Sequence, residues 1–583
     1  MRSGPEANRR IATCLVLGWA FGLLGTARGD EPLHRRVDRL VEASLTVEPA
    51  AHSTDAEFLR RAFLDLHGMI PSAEEARAFL DDPSPYKRTR LIDRLLDDPA
   101  YAWRMAEIFD LTLMERRAET HVKTADWRAF LREAFAENRP YDQLAAEILA
   151  ADGLERAPGR RAAARFFLDR QAEPNLLTRD VARIFLGRDV QCSQCHDHPL
   201  VDDYKQAHYY GLFAFVSRTT LFDQPGVGNV LAEKAEGDVT YSSVFKKGVT
   251  HKTGPRVLDG PAVPEPDVAK GAEYLLAPDK NNKVRPIPRV SRRKELAGAV
   301  AKANLPEFNK NVANRLWAIL MGKGLVHPLD MHHADNPPSH PELLDLLAEE
   351  FAASGYDVKT FLRELALTRT YQRSSEPPPG PGPAENASAE FESSTEPPAL
   401  SVATLKPLSP EQLAWSVMRG LGLVEPARRE AERRLGGADP RLSAIFATDA
   451  KREALRRRMI EESVHEQLKS GVDPFVRQFA ASAGQPQDGV EPTVHQALFL
   501  SNGEPIQSWL APSGDRLVGR LEKLTDPSAL AEELYLSLYT RRPTAEEREA
   551  VAAYLATRAA ERPAALKELV WALLASTEFR FNH

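Results

Sequence analysis

Ala56-Glu57-Phe58-Leu59-Arg60-Arg61-Ala62-Phe63-Leu64-Asp65-Leu66 places Phe58, Leu59, Ala62, Phe63 and Leu66 on one face of a helix. The same spacing of apolar residues recurs along the chain and predicts helices over about 73–81, 86–97, 101–116, 124–137, 141–151 and 178–187. Turn signals such as Ile70-Pro71-Ser72 and Asn138-Arg139-Pro140 separate them. The fold class is therefore mainly α, with residues 35–216 forming a multi-helix domain. Residues 218–295 break the pattern. Gly and Pro are frequent there, and short β-favouring pieces such as Val239-Thr240-Tyr241 and Pro255-Arg256-Val257-Leu258 predict a small, irregular β-containing insertion.

Helices resume near Lys294 and give a second helical part over 296–375. Within it, Ser339-His340-Pro341-Glu342 predicts a helix start, with Ser339 as N-cap, Pro341 in the first turn and Glu342 completing a capping box. Leu343, Leu344, Leu347 and Phe351 supply its buried stripe. Residues 376–400 are rich in Pro, Ser, Glu and Gly and too poor in apolar groups to fold, so they read as a flexible linker. Ser409-Pro410-Glu411-Gln412 repeats the capping pattern and opens a last helical block, 401–583, which closes with a helix over about Ala564–Ser576.

The N-terminus reads as a leader. Arg2, Arg9 and Arg10 precede an apolar stretch from Ile11 to Leu24, and Ala27-Arg28-Gly29 offers small residues at −3 and −1 of a cut before Asp30. The apolar core falls short of the about 20 residues a membrane helix needs, so 1–29 is expected to be a signal peptide, with an uncleaved membrane anchor as the alternative, and no stable membrane span is expected to remain after its removal. Cys14 lies inside that core without lipobox-like neighbours. The protein is thus expected to be exported, periplasmic or secreted. Of its 583 residues the leader takes four basic and one acidic, moving the net charge from −7 to −10. An acidic chain lacks the basic footprint of a nucleic-acid binder, so nucleic acid is not an expected partner.

Only two cysteines remain, in Cys192-Ser193-Gln194-Cys195-His196. This C-x-x-C-H spacing lets two thiols add to haem vinyl groups while the histidine ligates iron, which gives Cys192, Cys195 and His196 as candidate haem c residues. The sixth ligand is open among His198, His208, His340, Met321 and Met331. A second reading takes Cys192, Cys195, His196 and His198, with Asp197 as a carboxylate, for a zinc site, or His196 and His198 for a redox metal, with His340 a further candidate ligand. A third is a C-x-x-C disulfide pinning a turn in an oxidising compartment. A redox-active dithiol is its weaker variant, because the βαβ context of such sites is missing. Electron transfer or oxidation outside the cytoplasm follows from the first reading, with a redox partner or co-exported enzyme. A metal-dependent hydrolase or binding protein, or a structural scaffold, follows from the others.

Two stretches carry a family resemblance. Phe58 to Leu66 with Gly68 and Ile70-Pro71, then Phe185-Leu186-Gly187 and Cys192 through His196-Asp197-His198-Pro199, resembles the DUF1549 domain, also called planctomycete cytochrome c-like domain 2. Asn314-Arg315-Leu316-Trp317, Gly322-Lys323-Gly324-Leu325-Val326, Asn336-Pro337-Pro338-Ser339-His340-Pro341-Glu342-Leu343-Leu344 and Thr370-Tyr371-Gln372 resemble the companion DUF1553 domain. So do the closing Trp571 to Ser576, Glu578-Phe579 and Asn582-His583. The resemblance implies an exported, haem-linked protein; both domains are named for lacking a known function. Two departures stand out. Larger relatives often place a separate cytochrome c domain ahead of this unit, and none fits between Asp30 and Phe58. Ala483-Gly484-Gln485-Pro486 replaces a segment that is usually more polar in relatives and often contains cysteine.

Other features are less specific. Asp330, His332, His333 and Asp335 make a His/Asp loop before a helix, suited to an anion or a ligand set but also to ordinary turn chemistry. The arginine pairs at 60–61, 292–293 and 541–542 are expected on solvated or salt-bridging faces. Trp103, Trp127, Trp317, Trp415 and Trp571 are expected in the core. No G-x-S-x-G elbow, Walker loop, Rossmann fingerprint or H-E-x-x-H is present.

Overall fold

Local chemistry sets the ends of the helices. In the computed structural model, which describes residues 31–154, 160–245, 248–279, 281–301, 305–378, 399–436, 449–485 and 493–582, the Ser72 side chain accepts from the Glu75 amide while Glu75 reaches back to the Ser72 amide, opening the helix Ala73–Asp81. Asp98 caps Pro99–Met114 from its side chain, with Pro99 at the first helical position. Helices Lys87–Asp97, Thr124–Ala136, Tyr141–Ala150 and Pro174–Leu186 complete the series expected from the periodicity. The proposed leader, Cys14 and most of the linker lie outside the described residues.

The 218–295 stretch contains small β elements: Thr219–Gln224 pairs antiparallel with Gly228–Glu233, the expected Val239–Tyr241 with His251–Thr253, and Tyr274–Leu276 with Ile287–Pro288, whereas 255–258 is not a strand and Arg256 makes only a lone bridge to Ala262. Helices resume at Arg292–Val300 and continue through Pro306–Met321, Pro341–Ala353 and Val358–Ala366. These later helices share one apolar core with the first domain, running from Val37 to Tyr371. A second core gathers residues from Leu408 to Phe579. A two-residue ladder ties Lys406–Pro407 to Phe581–Asn582.

The helix Asp55–His67 joins the two cores. Phe58, Leu59, Ala62, Phe63 and Leu66 enter the first, as their spacing predicts, while Leu64 enters the second together with Ile70. Its polar side chains are buried as well: Arg61 keeps the expected salt bridge, to Glu57, but Arg60 does not. Arg60 is fully buried and meets no carboxylate. Its Nη1 donates to the Leu538 carbonyl (3.1 Å) and its Nη2 to the Phe579 carbonyl (2.7 Å). Burial pulls its pKa down to about 10. Arg61 pairs with Glu57 (2.7 Å) and donates to the Arg373 carbonyl (2.8 Å). Asp65 accepts from Lys406 Nζ (2.6 Å), Asn582 Nδ2 (2.8 Å) and the Tyr371 hydroxyl (3.0 Å).

The second arginine pair is buried too. Arg292 makes a bidentate pair with Glu265 (2.6 and 2.7 Å), and Arg293 donates to the Ala151 carbonyl (2.6 Å). The third behaves as expected: Arg541 bridges Glu547 and Glu578, and Arg542 reaches Asp81. Trp127, Trp317 and Trp415 are in the core, whereas Trp103 and Trp571 are half-buried. Trp103 stacks flat on His465 at 3.8 Å. The capping box holds at Ser409, whose side chain accepts from the Gln412 amide, but not at Ser339. There the helix starts after His340 with no side-chain cap, because the Ser339 amide donates to Leu325 and its hydroxyl lies 3.0 Å from His340 Nδ1. The stripe Leu343, Leu344, Leu347, Phe351 is buried as expected.

Replacing Asp65 by Asn leaves the buried Lys406 ammonium without its counter-charge. We expect a loss of about 3–5 kcal/mol in urea unfolding. Arg60→Met strands the Leu538 and Phe579 carbonyls and should cost about 3 kcal/mol in the same measurement.

Candidate functional site

Gly187 ends the helix Pro174–Leu186 in the left-handed region, at φ 68°. A Cβ there would lie 2.7 Å from the His332 ring and 2.9 Å from Asn311 Oδ1, so the turn needs glycine for both space and conformation. The His332 amide donates to the Gly187 carbonyl (2.9 Å), and the Asp189 amide donates to the Asp330 carbonyl (3.0 Å). Asp189 Oδ1 then accepts from the Gln191 amide (3.0 Å) and starts the 3-10 turn Gln191–Gln194. The cysteine motif is thus launched from a seam between the first helical domain and the His/Asp loop.

On that turn Cys192 and Cys195 are exposed and their sulfurs are not joined. Ser193 between them is fully buried. The Gln194 carbonyl accepts from the Tyr210 hydroxyl (3.1 Å) and Gln206 Nε2 (3.3 Å), and Gln206 also reaches the Ser242 carbonyl (3.2 Å). The Val244 amide donates to the Cys195 carbonyl (3.1 Å). Helix Gln206–Val216 and the β-containing insertion therefore hold the motif from two sides. Burial raises the Tyr210 pKa, with the nearby Cys195 adding to the shift.

His196 Nδ1–H donates to the Asp197 carbonyl (2.6 Å), which fixes the ring and leaves Nε2 without a protein partner among the described residues. The ring stands 4.9 Å from the ring of Phe245, which is 77% exposed. Asp197 Oδ1 accepts from the Gln206 amide (2.9 Å). His198 Nδ1 accepts from the Val201 amide (2.9 Å), and its ring meets Tyr204 edge-on at 5.9 Å. Tyr204 in turn meets His333 at 5.3 Å, and the Ala334 amide donates to Asp203 Oδ2 (2.7 Å). The loop after the cysteine motif and the His/Asp loop are packed together.

The remaining ligand candidates stand apart in role. His208 is buried, its Nδ1–H donates to the Asp203 carbonyl (2.9 Å), and burial lowers its pKa. His340 precedes the helix Pro341–Ala353, again with its pKa lowered by burial. Met321 is buried, and Met331 pairs its backbone with Arg188. Among the described residues no group of three or more His, Cys, Asp or Glu side chains is disposed to hold a metal ion. The cysteine motif itself is legible from spacing. Its supports Gln206, Tyr210 and Phe245 are not, because only the folded chain brings them beside it.

Residues 36–220 match the family model described as a protein of unknown function, DUF1549 (PSCyt2), and residues 292–555 match that of DUF1553 (PSD1), likewise of unknown function. The chain is a DUF1549–DUF1553 protein. The seam described above is the meeting of these two domains: Gly187, Asp189, Asp203 and Tyr204 belong to DUF1549, and Asp330, His332, His333 and Ala334 to DUF1553. No curated protein and no solved structure matches this DUF1549–DUF1553 chain. No helix among its described residues is long and apolar enough to cross a membrane.

His332 gives the seam a pH dependence. Burial, with the positive Arg315 and Arg188 nearby, pulls its pKa from 6.5 down to about 3. Between those values the unfolded chain binds a proton that the folded chain refuses, so this group's contribution rises with pH and is lost as pH falls below the unfolded value. Urea melts at about pH 7 and about pH 4.5 should show lower stability at the acid value. His332→Gln should reduce that difference.

Proposed function

We propose that Cys192, Cys195 and His196 bind c-type haem and that the protein takes part in electron transfer or oxidation outside the cytoplasm. The observation that carries this reading is the state of the three side chains. Two thiols are exposed and unjoined on one turn, and the next residue is a histidine held through Nδ1 with Nε2 open. That donor set fits covalent haem: Cys192 and Cys195 would form the thioethers and His196 the iron bond, and bound haem would supply one-electron exchange.

The chain's own residues prepare the site. The Asp197 carbonyl fixes the His196 tautomer, as partners of ligating histidines usually do. Tyr210 and Gln206 hold the Gln194 carbonyl, and Val244 holds that of Cys195, so the turn keeps its shape before any ligand arrives. Leu200 and Phe245 are 83% and 77% exposed, and Val244 is 59% exposed. Such apolar surface beside the motif suits the face of a porphyrin, because covering it removes the cost of leaving it in water. The basic, apolar and small-residue segments of the leader support export, and c-type haem is attached outside the cytoplasm. A one-electron carrier or a co-exported enzyme is the partner this chemistry requires.

Expression with its leader in a host competent for haem attachment should give a coloured protein with a pyridine haemochrome spectrum and haem that survives denaturation. Cys192→Ala with Cys195→Ala should abolish the covalent colour, and His196→Ala should keep the thioethers but shift the Soret band. A colourless protein from that host, carrying stoichiometric zinc or a Cys192–Cys195 disulfide, would sink the reading.

A further inference from the structure

The molecule has a second polar centre, at the C-terminal end of the helix Asp55–His67. A cavity of about 270 Å³ opens where the end of Asp55–His67 and the start of Pro99–Met114 meet the helices Pro410–Gly420 and Val424–Gly436. Neither the cysteine motif nor its supports line it.

Some of its charged groups satisfy one another. Arg419 donates from Nη2 to Glu75 (2.5 Å), and its Nε lies 3.0 Å from Glu425 Oε1. Burial pushes the Glu75 pKa up, but Arg419 and the Ser72 amide bring it down to about 2, so the pair is ionised. Other groups keep open valences. His67 donates from Nε2 to the Leu95 carbonyl (3.0 Å), and its Nδ1 has no protein partner among the described residues. Burial holds this ring neutral, so Nδ1 is an acceptor. Asp98 is already used: Oδ1 accepts from the Ala100 amide (2.9 Å) and Oδ2 from Arg457 Nη2 (3.4 Å). Glu425 keeps Oε2 free among the described residues. Arg428 spends only Nη2, on Glu461 (2.7 Å), leaving Nε and Nη1 as donors.

Two open acceptors, His67 Nδ1 and Glu425 Oε2, match donors of an ammonium group, and the open edge of Arg428 matches a carboxylate. Phe63 and Met69 add an apolar wall. We propose that this cavity binds a small zwitterionic α-amino acid, with its ammonium on His67 and Glu425, its carboxylate on Arg428 and its apolar side chain against Phe63 and Met69.

Isothermal titration of the full chain with L-leucine tests this. L-leucine should bind. N-acetyl-leucine, which lacks the ammonium, and leucine amide, which lacks the carboxylate, should each bind at least about tenfold more weakly, as expected for the loss of one charge-assisted contact. Glu425→Gln should weaken L-leucine by a similar factor. The two blocked derivatives keep the test decisive should that variant fail to fold. No binding of L-leucine, or equal binding of all three compounds, overturns the proposal. So does unchanged affinity in a folded Glu425→Gln protein.

Discussion

A buried guanidinium with only backbone carbonyls for partners is an uncommon way to join two cores, and Arg60 does this here. Its charge has been taken out of water, which is costly unless every donor is used. The carbonyls of Leu538 and Phe579, with weaker contacts to Glu578 and Phe581 at 3.4 Å, take four of its five N–H groups. Five residues along the chain, Asp65 repeats the arrangement with opposite sign, gathering Lys406, Tyr371 and Asn582. The apolar face of the same helix would pack adequately against many surfaces. The polar face accepts only one, so the relative placement of the cores is set by hydrogen-bond geometry more than by apolar burial.

The seam near the cysteine turn rests on similar constraints at smaller scale. Gly187 lets His332 approach, His332 donates its amide back to Gly187, and Asp330 receives the Asp189 amide. The turn carrying Cys192 and Cys195 begins two residues after that contact. Its far side is held by Gln206, Tyr210 and Val244, from a helix and from the β-containing insertion. A short surface turn fixed at both ends presents its thiols at a defined separation, which any two-point covalent attachment needs.

Much of the helical body was legible because apolar periodicity reports directly on which face is buried. The helices after Phe58 fall where that period places them, and Ser409 caps as its spacing predicts. Polar burial was not legible. Arg60 and Arg61 look in sequence like Arg541 and Arg542, yet the first pair is interior and the second lies among surface carboxylates. The sequence does not distinguish them, because the carbonyls that Arg60 and Arg61 reach lie hundreds of residues away. Ser339 failed as a cap for a related reason: a tertiary contact to Leu325 claimed its amide and His340 its hydroxyl. At the candidate site the motif was readable from spacing, whereas Phe245 arrives from an irregular insertion with no periodicity to flag it.

The reach of Arg60 also bears on biosynthesis. Its partner at Phe579 emerges from the ribosome 519 residues later. At ordinary translation speeds that interval is roughly half a minute to two minutes. Throughout it the Arg60 guanidinium lacks these acceptors and favours water. The polar face of this helix can therefore be fully paired only after the last helices have been made.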